Sequence, residues 1–428
     1  MGTHHVYPLS AVRALALHAQ QLDRPAIAAG PPPSQQDIYA AIEQMGCVQI
    51  DTLQMVRRSH YIALWSRLGA YNPSDLERVA YGKTDSAATR QHNGDSRRLF
   101  EYWLHAACLI PLTEYRYHLP RMRWYREVGG WRHEWTQQPE NQKLMKAVLA
   151  RVKKEGPLRA SDFEHNGPRR GSWWDWKPAK TALEHLYNQG QLIIAGRANF
   201  QRLYDLPERV LPAWVDRREP SYEESRRFWL SRSLKALGIV DPVLAGSMVQ
   251  FFKRTEARAL LKELVATGEA MEVQATLADG QPHDLVLHRD HLPALQQAAD
   301  GALQSGRTTF LSPFDNLLWV PGRMQAFWDF RQALEAYVPR EKRQYGYFTL
   351  PILHHDCFVG RFDPKLERQT GTLRLRAIYL EPQVKASEEL VSEVAGALRD
   401  FMRFHEATSL VIEASTPAAF GRRLMKAL

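Results

Sequence analysis

The chain has 428 residues, of which 44% are hydrophobic, and carries a formal net charge of +9 with a sequence pI of about 9.4. At roughly 100–200 residues per domain, this length allows two to four domains. No apolar run is long enough to cross a membrane, and the N-terminus lacks the apolar stretch of a signal peptide. The three cysteines lie far apart, which excludes a disulfide framework and fits a reduced cytoplasm.

The basic charge balance indicates a polyanionic partner, and nucleic acid is the commonest one. Charge that serves only solubility is the alternative interpretation.

The first part of the chain alternates helical and strand-like patterns. Apolar residues at helical spacing, an N-capping serine and a closing glycine define the helices. In chain order, the pattern predicts a helix over 9–22, a helix from Ser34 to Met45 that ends at Gly46, a β run over 47–53, a helix over 61–68 and a strand pair over 99–112.

Two later segments resemble each other. Residues 182–194 read ALEHLYNQGQLII, and residues 260–272 read LLKELVATGEAME. Each predicts an amphipathic helix, a glycine turn and a β run, and each follows a further helix, over 142–155 and 223–237. This order is typical of a winged helix, with a generic helix–strand junction as the alternative.

From residue 308 the pattern becomes rich in β-strands. The predicted strands are 309–319, 345–353, 357–362, 372–380 and 409–413, with a helix over 388–405 and a polar linker over 296–307. We therefore predict an α+β protein with tandem winged-helix domains over 1–138, 139–220 and 221–300, followed by a β-barrel-like C-terminal domain over 301–428.

The most distinctive local feature is the tripeptide Gln49-Ile50-Asp51. In a strand, residues i and i+2 point to the same face, about 6.5–7 Å apart, so Gln49 and Asp51 would share a surface. An amide can hold a water molecule, and a carboxylate can polarise that water or stabilise an oxocarbenium-like transition state. From the spacing alone, a solvated edge strand is the simpler interpretation.

Basic residues that could contact phosphates lie next to this tripeptide, among aromatic residues over 115–135 and around the middle repeat. Arginine among aromatics can combine neutralisation of the DNA backbone with stacking. For any one of them, a solvated helix face is the alternative. The candidates are Arg57, Arg58, Arg121, Arg123, Arg169, Arg170, Lys177 and Lys180, with Lys342 and Arg343 as weaker ones.

Several segments, in order along almost the whole chain, resemble the YcaQ/AlkZ-like family of crosslink-repair DNA glycosylases. They are QIDTLQMVRRSHYIALWSRLG (49–69), EYWLHAACLIP (101–111), SDFEH with WWDWKP (161–165 and 173–178), NFQRLYDL (199–206), LSPFDNLLW (311–319) and KRQYGYFTLPILH (342–354). The resemblance implies tandem winged helices followed by a β-barrel-like domain, in agreement with the pattern.

In that family, catalysis depends on a Gln-apolar-Gln or a Gln-apolar-Asp motif, and residues 49–51 match the second form. This form resembles the broader branch, which unhooks nitrogen-mustard-type crosslinks and excises N7-alkylguanine. The resemblance implies that Gln49 orients a water molecule and that Asp51 activates it and stabilises positive charge on the sugar. The expected partner is double-stranded DNA with an alkylated or crosslinked guanine, bound by a cytoplasmic, nucleoid-associated monomer.

Glu101, Trp103 and His105 form a second candidate cluster. In a strand they share a face, where Glu101 or His105 could lie near the lesion or the phosphates. A core strand with a hydrogen-bonded histidine explains the same pattern equally well.

Other signals in the sequence are negative. No lysine lies in the tripeptide, so we expect hydrolysis without Schiff-base lyase chemistry. The adjacent pair His354 and His355 is a poor metal arrangement without further ligands, and no phosphate-binding loop or iron–sulfur pattern occurs. We expect no cofactor and no required metal. Two other classes stay open: a non-enzymatic winged-helix regulator, and a protein scaffold whose DNA affinity would not depend on salt.

Overall fold

The structure, a computed structural model, describes residues 6–24, 31–82, 96–130, 132–163, 177–249 and 252–428. The chain divides into two units, each made of discontinuous segments. Unit 1 comprises Met1–Asp75, Tyr102–Leu109 and Trp229–Leu428, and unit 2 comprises Leu76–Glu101 and Ile110–Phe228. No helix within the described ranges combines the length and apolar character that crossing a membrane requires.

Helices and strands are numbered here in chain order. The helices are α1 (Leu9–Ala19), α2 (Gln35–Met45), α3 (Ser59–Leu68), α4 (Pro73–Tyr81), α5 (Leu119–Glu127), α6 (His133–Gln137), α7 (Pro139–Glu155), α8 (Lys177–Asn188), α9 (Pro207–Val210), α10 (Tyr222–Leu237), α11 (Arg254–Ala266), α12 (Leu292–Ala299), α13 (Arg323–Trp328), α14 (Glu388–Phe404) and α15 (Ala418–Ala427). The strands are β1 (Val6–Tyr7), β2 (Val48–Gln49), β3 (Leu99–Trp103), β4 (Ala107–Pro111), β5 (Ile193–Ala198), β6 (Gln201–Asp205), β7 (Ile239–Val240), β8 (Ala270–Thr276), β9 (Pro282–His288), β10 (Thr308–Phe310), β11 (Leu350–His354), β12 (Cys357–Glu367), β13 (Thr372–Leu380), β14 (Ser409–Ile412) and β15 (Ser415–Thr416).

The helices near the N-terminus follow the predicted pattern closely. α2 begins after Ser34, whose hydroxyl accepts a hydrogen bond from the backbone N–H of Asp37, and ends at Gly46 as predicted. α1 ends at Ala19 rather than at residue 22, because the backbone turns away at Gln21, which has a left-handed φ of +56°.

Both sequence repeats are confirmed as a helix, a glycine turn and a strand. α8 leads through Gly190, with φ +69°, into β5, and α11 leads through Gly268, with φ +71°, into β8. Glycine suits these turns because it has no Cβ to oppose a left-handed backbone. Each first strand pairs with the next in an antiparallel hairpin, and the predicted upstream helices are α7 and α10.

The core of unit 1 joins the N-terminal helix to the C-terminal half of the chain. Val12 and Leu15 of α1 are fully buried in one cluster with Leu287 of β9 and Leu353 of β11. The C-terminal strands therefore share a core with the N-terminus. The four predicted domain ranges do not coincide with the two units, and they stay a prediction.

The predicted polar linker over 296–307 is wrong at its start. Its first four residues complete α12, in which Leu295 and Ala298 are buried. The polar residues between these positions lie on the exposed face of an amphipathic helix. Polar composition alone does not distinguish such a face from a linker.

The C-terminal part contains a six-stranded sheet with the order β10-β11-β12-β13-β14, and β15 pairs with β13. The sheet curls like half a barrel, which confirms the mixed α+β class and the β-rich C-terminal part. α14 covers it through Phe401, whose ring packs edge-on against Phe310 at 5.6 Å and Phe362 at 6.0 Å.

One predicted strand, over 309–319, is mostly not a strand. β10 ends at Phe310, and residues Asn316–Leu318 form a helical turn. Pro313 cannot donate to a strand partner, and the carboxylate of Asp315 accepts the backbone N–H of Leu317 at 3.0 Å. The local hydrogen bond therefore replaces strand pairing after residue 310.

Candidate active site

The tripeptide Gln49-Ile50-Asp51 lies at the end of β2 in unit 1. β2 pairs antiparallel with β4, with Gln49 opposite Cys108, and the N–H of Ile50 donates to the carbonyl of Ala107 at 2.8 Å. Ile50 is 8% exposed, whereas Gln49 and Asp51 are half-buried. Two polar side chains therefore reach the surface on either side of a buried anchor.

Asp51 lies in a turn rather than in a strand. Its Oδ1 accepts a hydrogen bond from the backbone N–H of Leu53 at 2.7 Å. This local bond competes with strand pairing, so the predicted β run over 47–53 is wrong beyond Gln49. Within the described residues, Asp51 Oδ2 and the carboxamide of Gln49 have no hydrogen-bond partner, which leaves both groups available to a water molecule or a ligand.

Buried polar residues from 311–319 hold the backbone immediately before β2. The amide of Asn316 donates to the carbonyls of Met45 at 3.1 Å and Cys47 at 2.8 Å. The neighbouring Asp315 forms a fully buried ion pair with Arg67 of α3, with N–O distances of 2.6 and 2.9 Å. No sequence pattern predicts a role for these residues, although a polar pair inside an apolar stretch signals a buried hydrogen-bonding site.

Tyr337 is a residue near Asp51 that the sequence analysis did not single out. Its side chain is 74% exposed. Burial of the remainder, followed by the negative charge of Asp51, raises the pKa of the Tyr337 phenol. An exposed aromatic ring is thus within electrostatic range of the candidate catalytic carboxylate.

The segment that carries Tyr337 is held in place by the residues around it. The carboxylate of Glu335 accepts three consecutive backbone N–H groups, from Gln344, Tyr345 and Gly346. The guanidinium of Arg343 donates to the carbonyls of Glu335 and Val338 at 3.1 and 2.9 Å. These bonds also explain why the strand predicted from residue 345 begins only at Leu350. Arg343, a weak candidate for a phosphate contact, bonds this loop through Nε, and Lys342 is exposed. Their contacts with DNA stay predictions.

His105 is not in the strand that was predicted to align it with Glu101 and Trp103. β3 ends at Trp103, and the N–H of Leu104 bonds the carbonyl of Ala106 at 3.0 Å in a tight turn. The shared strand face is therefore wrong for His105. Its ring stacks on Trp319 at 4.6 Å and 11°, and burial lowers its pKa despite a hydrogen bond to the backbone of Ser247.

The turn that carries His105 adjoins the candidate active site. Ala107, two residues after His105, pairs with Ile50 through the backbone. His105 and Trp319 therefore belong to the surroundings of the tripeptide, whereas Trp103 is half-buried at the end of β3.

Glu101 is fully buried in unit 2, and both oxygens of its carboxylate already accept hydrogen bonds. Its carboxylate receives two hydrogen bonds from Arg197 at 2.7 Å, lies 3.5 Å from Arg202 and accepts the hydroxyl of Tyr81. Burial opposes ionisation, but these donors and charges outweigh it and lower the pKa of Glu101. A carboxylate saturated in this way suits a structural ion-pair network, and this disfavours the predicted place of Glu101 near a lesion.

The predicted DNA-contacting residues differ in their surroundings and in how far other residues already engage their side chains. Arg57 donates to the carbonyl of Phe404 at 3.0 Å and pairs with Glu406 at 2.7 Å, so its guanidinium is engaged within unit 1. Arg58 is the N-cap residue of α3 and is half-buried.

The candidates in unit 2 lie on α5 and α8. Arg121 bonds the hydroxyl of Tyr125 at 3.3 Å, and Arg123 pairs with Glu219 at 3.1 Å. Lys180 is exposed on α8. Arg169, Arg170 and the side chain of Lys177 lie outside the described parts of the chain, so their roles stay predictions.

One group of described residues could hold a metal ion. Ligand atoms of His354, His355 and Glu393 all lie within 4.8 Å of one another in unit 1. Only the histidine pair is visible in the sequence, because Glu393 is distant along the chain and comes close only when α14 packs on the sheet.

The chain resembles known proteins in both sequence and fold. The family model described as "DNA glycosylase AlkZ-like" matches residues 42–404. The solved structure of the Streptomyces sahachiroi DNA glycosylase AlkZ is similar in fold, with a TM-score of 0.61 and 14% sequence identity. That similarity covers 96% of this chain and 100% of the Streptomyces chain. The matched range contains the Gln49–Asp51 tripeptide and most of both units, and we conclude that the chain belongs to the AlkZ-like DNA glycosylase family.

Proposed function

We propose that the chain is a monofunctional DNA glycosylase that hydrolyses the N-glycosidic bond of N7-alkylguanine in duplex DNA and unhooks interstrand crosslinks at such bases. The observation that carries the proposal is the pair of polar groups flanking buried Ile50. The Gln49 carboxamide and Asp51 Oδ2 both lack partners among the described residues, and they sit on a backbone fixed by β4 and Asn316.

The substrate's own chemistry makes a strong general acid unnecessary. An N7-alkylguanine carries a positive charge on its imidazolium ring, so its glycosidic bond is already weakened and the departing base becomes neutral. Two tasks remain: placing a water molecule at the anomeric carbon and stabilising positive charge on the sugar. Gln49 is suited to the first through its amide, and Asp51 to the second through its charge, with Asp51 also accepting the proton from water.

We further propose that the two helix–hairpin repeats are winged helices that dock the protein on the DNA as a monomer in the cytoplasm. Their order of helices and strands supports this assignment. A crosslinked guanine is tethered to its partner base and cannot swing out of the duplex freely, so we infer that the lesion is processed largely within the duplex, unlike in base-flipping enzymes.

The decisive experiment incubates the full-length protein with a labelled duplex that contains a single N7-methylguanine, and separately with a nitrogen-mustard-crosslinked duplex. We expect base loss that yields an alkali-labile site, unhooking of the crosslink, and no strand cleavage before alkali. Absence of excision from every N7-alkylated substrate would favour the regulator class. A covalent adduct trapped by borohydride would show lyase chemistry and refute the monofunctional assignment.

Tyr337 is proposed to stack on a base at the disturbed pair. Stacking on an aromatic ring contributes about 1–3 kcal/mol per base, so Tyr337→Ala should weaken binding to the N7-methylguanine duplex by roughly five- to 150-fold. Tyr337→Phe keeps the ring and should bind nearly as the parent does. Because the side chain is 74% exposed, neither change should alter the thermal midpoint. Equal affinity of Tyr337→Ala and the parent in fluorescence anisotropy would contradict this role.

A further inference from the structure

The turn between β11 and β12 brings two adjacent histidines to the same side of the chain. Neighbouring residues in a strand normally point to opposite faces. His355, however, has a left-handed φ of +56°, a conformation in which histidine is several-fold enriched among the few non-glycine residues that adopt it. The imidazole rings of His354 and His355 consequently stack at 4.1 Å with an interplanar angle of 21°.

A carboxylate from α14 completes the group. Glu393 Oε2 lies 3.2 Å from Nδ1 of His354 and 3.3 Å from Nε2 of His355. Around a tetrahedral ion with bonds of roughly 2.0–2.1 Å, adjacent ligand atoms are about 3.3 Å apart. The two nitrogen–oxygen separations therefore already equal the edges of a tetrahedral coordination sphere.

We propose that His354, His355 and Glu393 bind a divalent transition-metal ion, with Zn²⁺ the best match to two imidazoles and one carboxylate. This donor set, with a water molecule as fourth ligand, is one that zinc sites use. The side chains of His354, His355 and Glu393 are 16%, 37% and 34% exposed, so both the ion and the water can enter from solvent.

The residues around the three candidate ligands are suited to a bound cation. The hydroxyl of Thr308 on β10 contacts Glu393 Oε2 at 2.5 Å and can hold the carboxylate in place, as outer partners of metal ligands do. The same hydroxyl lies 2.8 Å from Nδ1 of His354, a contact that the ion would replace. Glu389, one helical turn before Glu393, acts electrostatically on His354 and adds negative charge. The bound ion would tie the β11–β12 turn to α14 and so stabilise the C-terminal sheet.

The test uses tag-free, chelator-stripped, full-length protein titrated with Zn²⁺ by calorimetry and with Co²⁺ by visible absorption. His4 and His5, a second adjacent pair in the sequence, are replaced by alanine in every sample so that they cannot contribute. We expect one equivalent of Zn²⁺ to bind, an intense tetrahedral Co²⁺ spectrum, and a higher thermal midpoint with Zn²⁺.

Three variants and one control distinguish a site from adventitious binding. His355→Ala and Glu393→Gln should each weaken Zn²⁺ binding at least tenfold, and Thr308→Val by about ten- to a hundredfold. His283→Ala is the matched control, because His283 is similarly exposed and has one carboxylate partner, Asp279, at 2.8 Å. It should bind Zn²⁺ as the parent does.

Two results would overturn the site. One is no Zn²⁺ binding by the parent protein, which would mean that Glu393 only accepts hydrogen bonds from Thr308 and the imidazoles. The other is unchanged Zn²⁺ affinity in the double variant H355A/E393Q. Both readouts are independent of base excision, so they do not depend on the proposed function.

Discussion

Asp51→Asn is expected to lower the rate of N7-methylguanine excision by about a hundred- to ten-thousandfold, the range typical of a lost general base. Asparagine keeps an oxygen that can accept the N–H of Leu53, so the turn at residues 51–53 should persist. What disappears is the negative charge that activates water and stabilises the developing cation. The loss should therefore appear in single-turnover rates, with duplex affinity nearly unchanged.

A matched control for this variant exists in the same unit. Asp241 accepts the backbone N–H of Val243 at 2.7 Å, the same local geometry as Asp51 with Leu53. Asp241→Asn should leave excision unchanged. If Asp51→Asn and Asp241→Asn excise equally fast, the carboxylate of Asp51 has no part in the chemistry, and the proposed mechanism fails at its central residue.

Removing Asp315, the carboxylate partner of Arg67, should lower the free energy of unfolding far more than the loss of a surface ion pair. The Arg67–Asp315 pair has side chains with 0% exposure. Asp315→Ala leaves a buried guanidinium without its carboxylate, for which losses of about 3–5 kcal/mol are typical. The same residue caps the turn at Leu317, so Asp315→Asn, which keeps a capping oxygen, should lose less.

Urea unfolding of the full-length chain, followed by tryptophan fluorescence, measures this effect. The control is Glu406→Ala, which breaks an ion pair with Arg57 whose glutamate side chain is 82% exposed. Its free energy of unfolding should change by no more than about 1 kcal/mol, as for other surface pairs. A midpoint for Asp315→Ala close to that of Glu406→Ala would show that the buried pair does not stabilise unit 1.

The sequence by itself determined the elements whose hydrogen bonds and apolar spacing are local. The helix after Ser34, the two helix–glycine–strand repeats and the strand over 372–380 all follow from periodicity and capping, because each signal lies within a few residues of its effect. The tripeptide Gln49-Ile50-Asp51 was found in the same way, from spacing together with family resemblance.

Only the tertiary structure decided which residues that are distant in sequence come into contact. Asn316 bonds the backbone just before the tripeptide, and the charge of Asp51 acts on Tyr337, although both residues are far from it in sequence. In the same way, packing alone brings His355 of the β11–β12 turn to Glu393 of α14. It also moved Glu101 from a candidate site into a buried network with Arg197. Such contacts depend on how helices and sheets pack, and periodicity reports which face of an element is buried but not what it packs against.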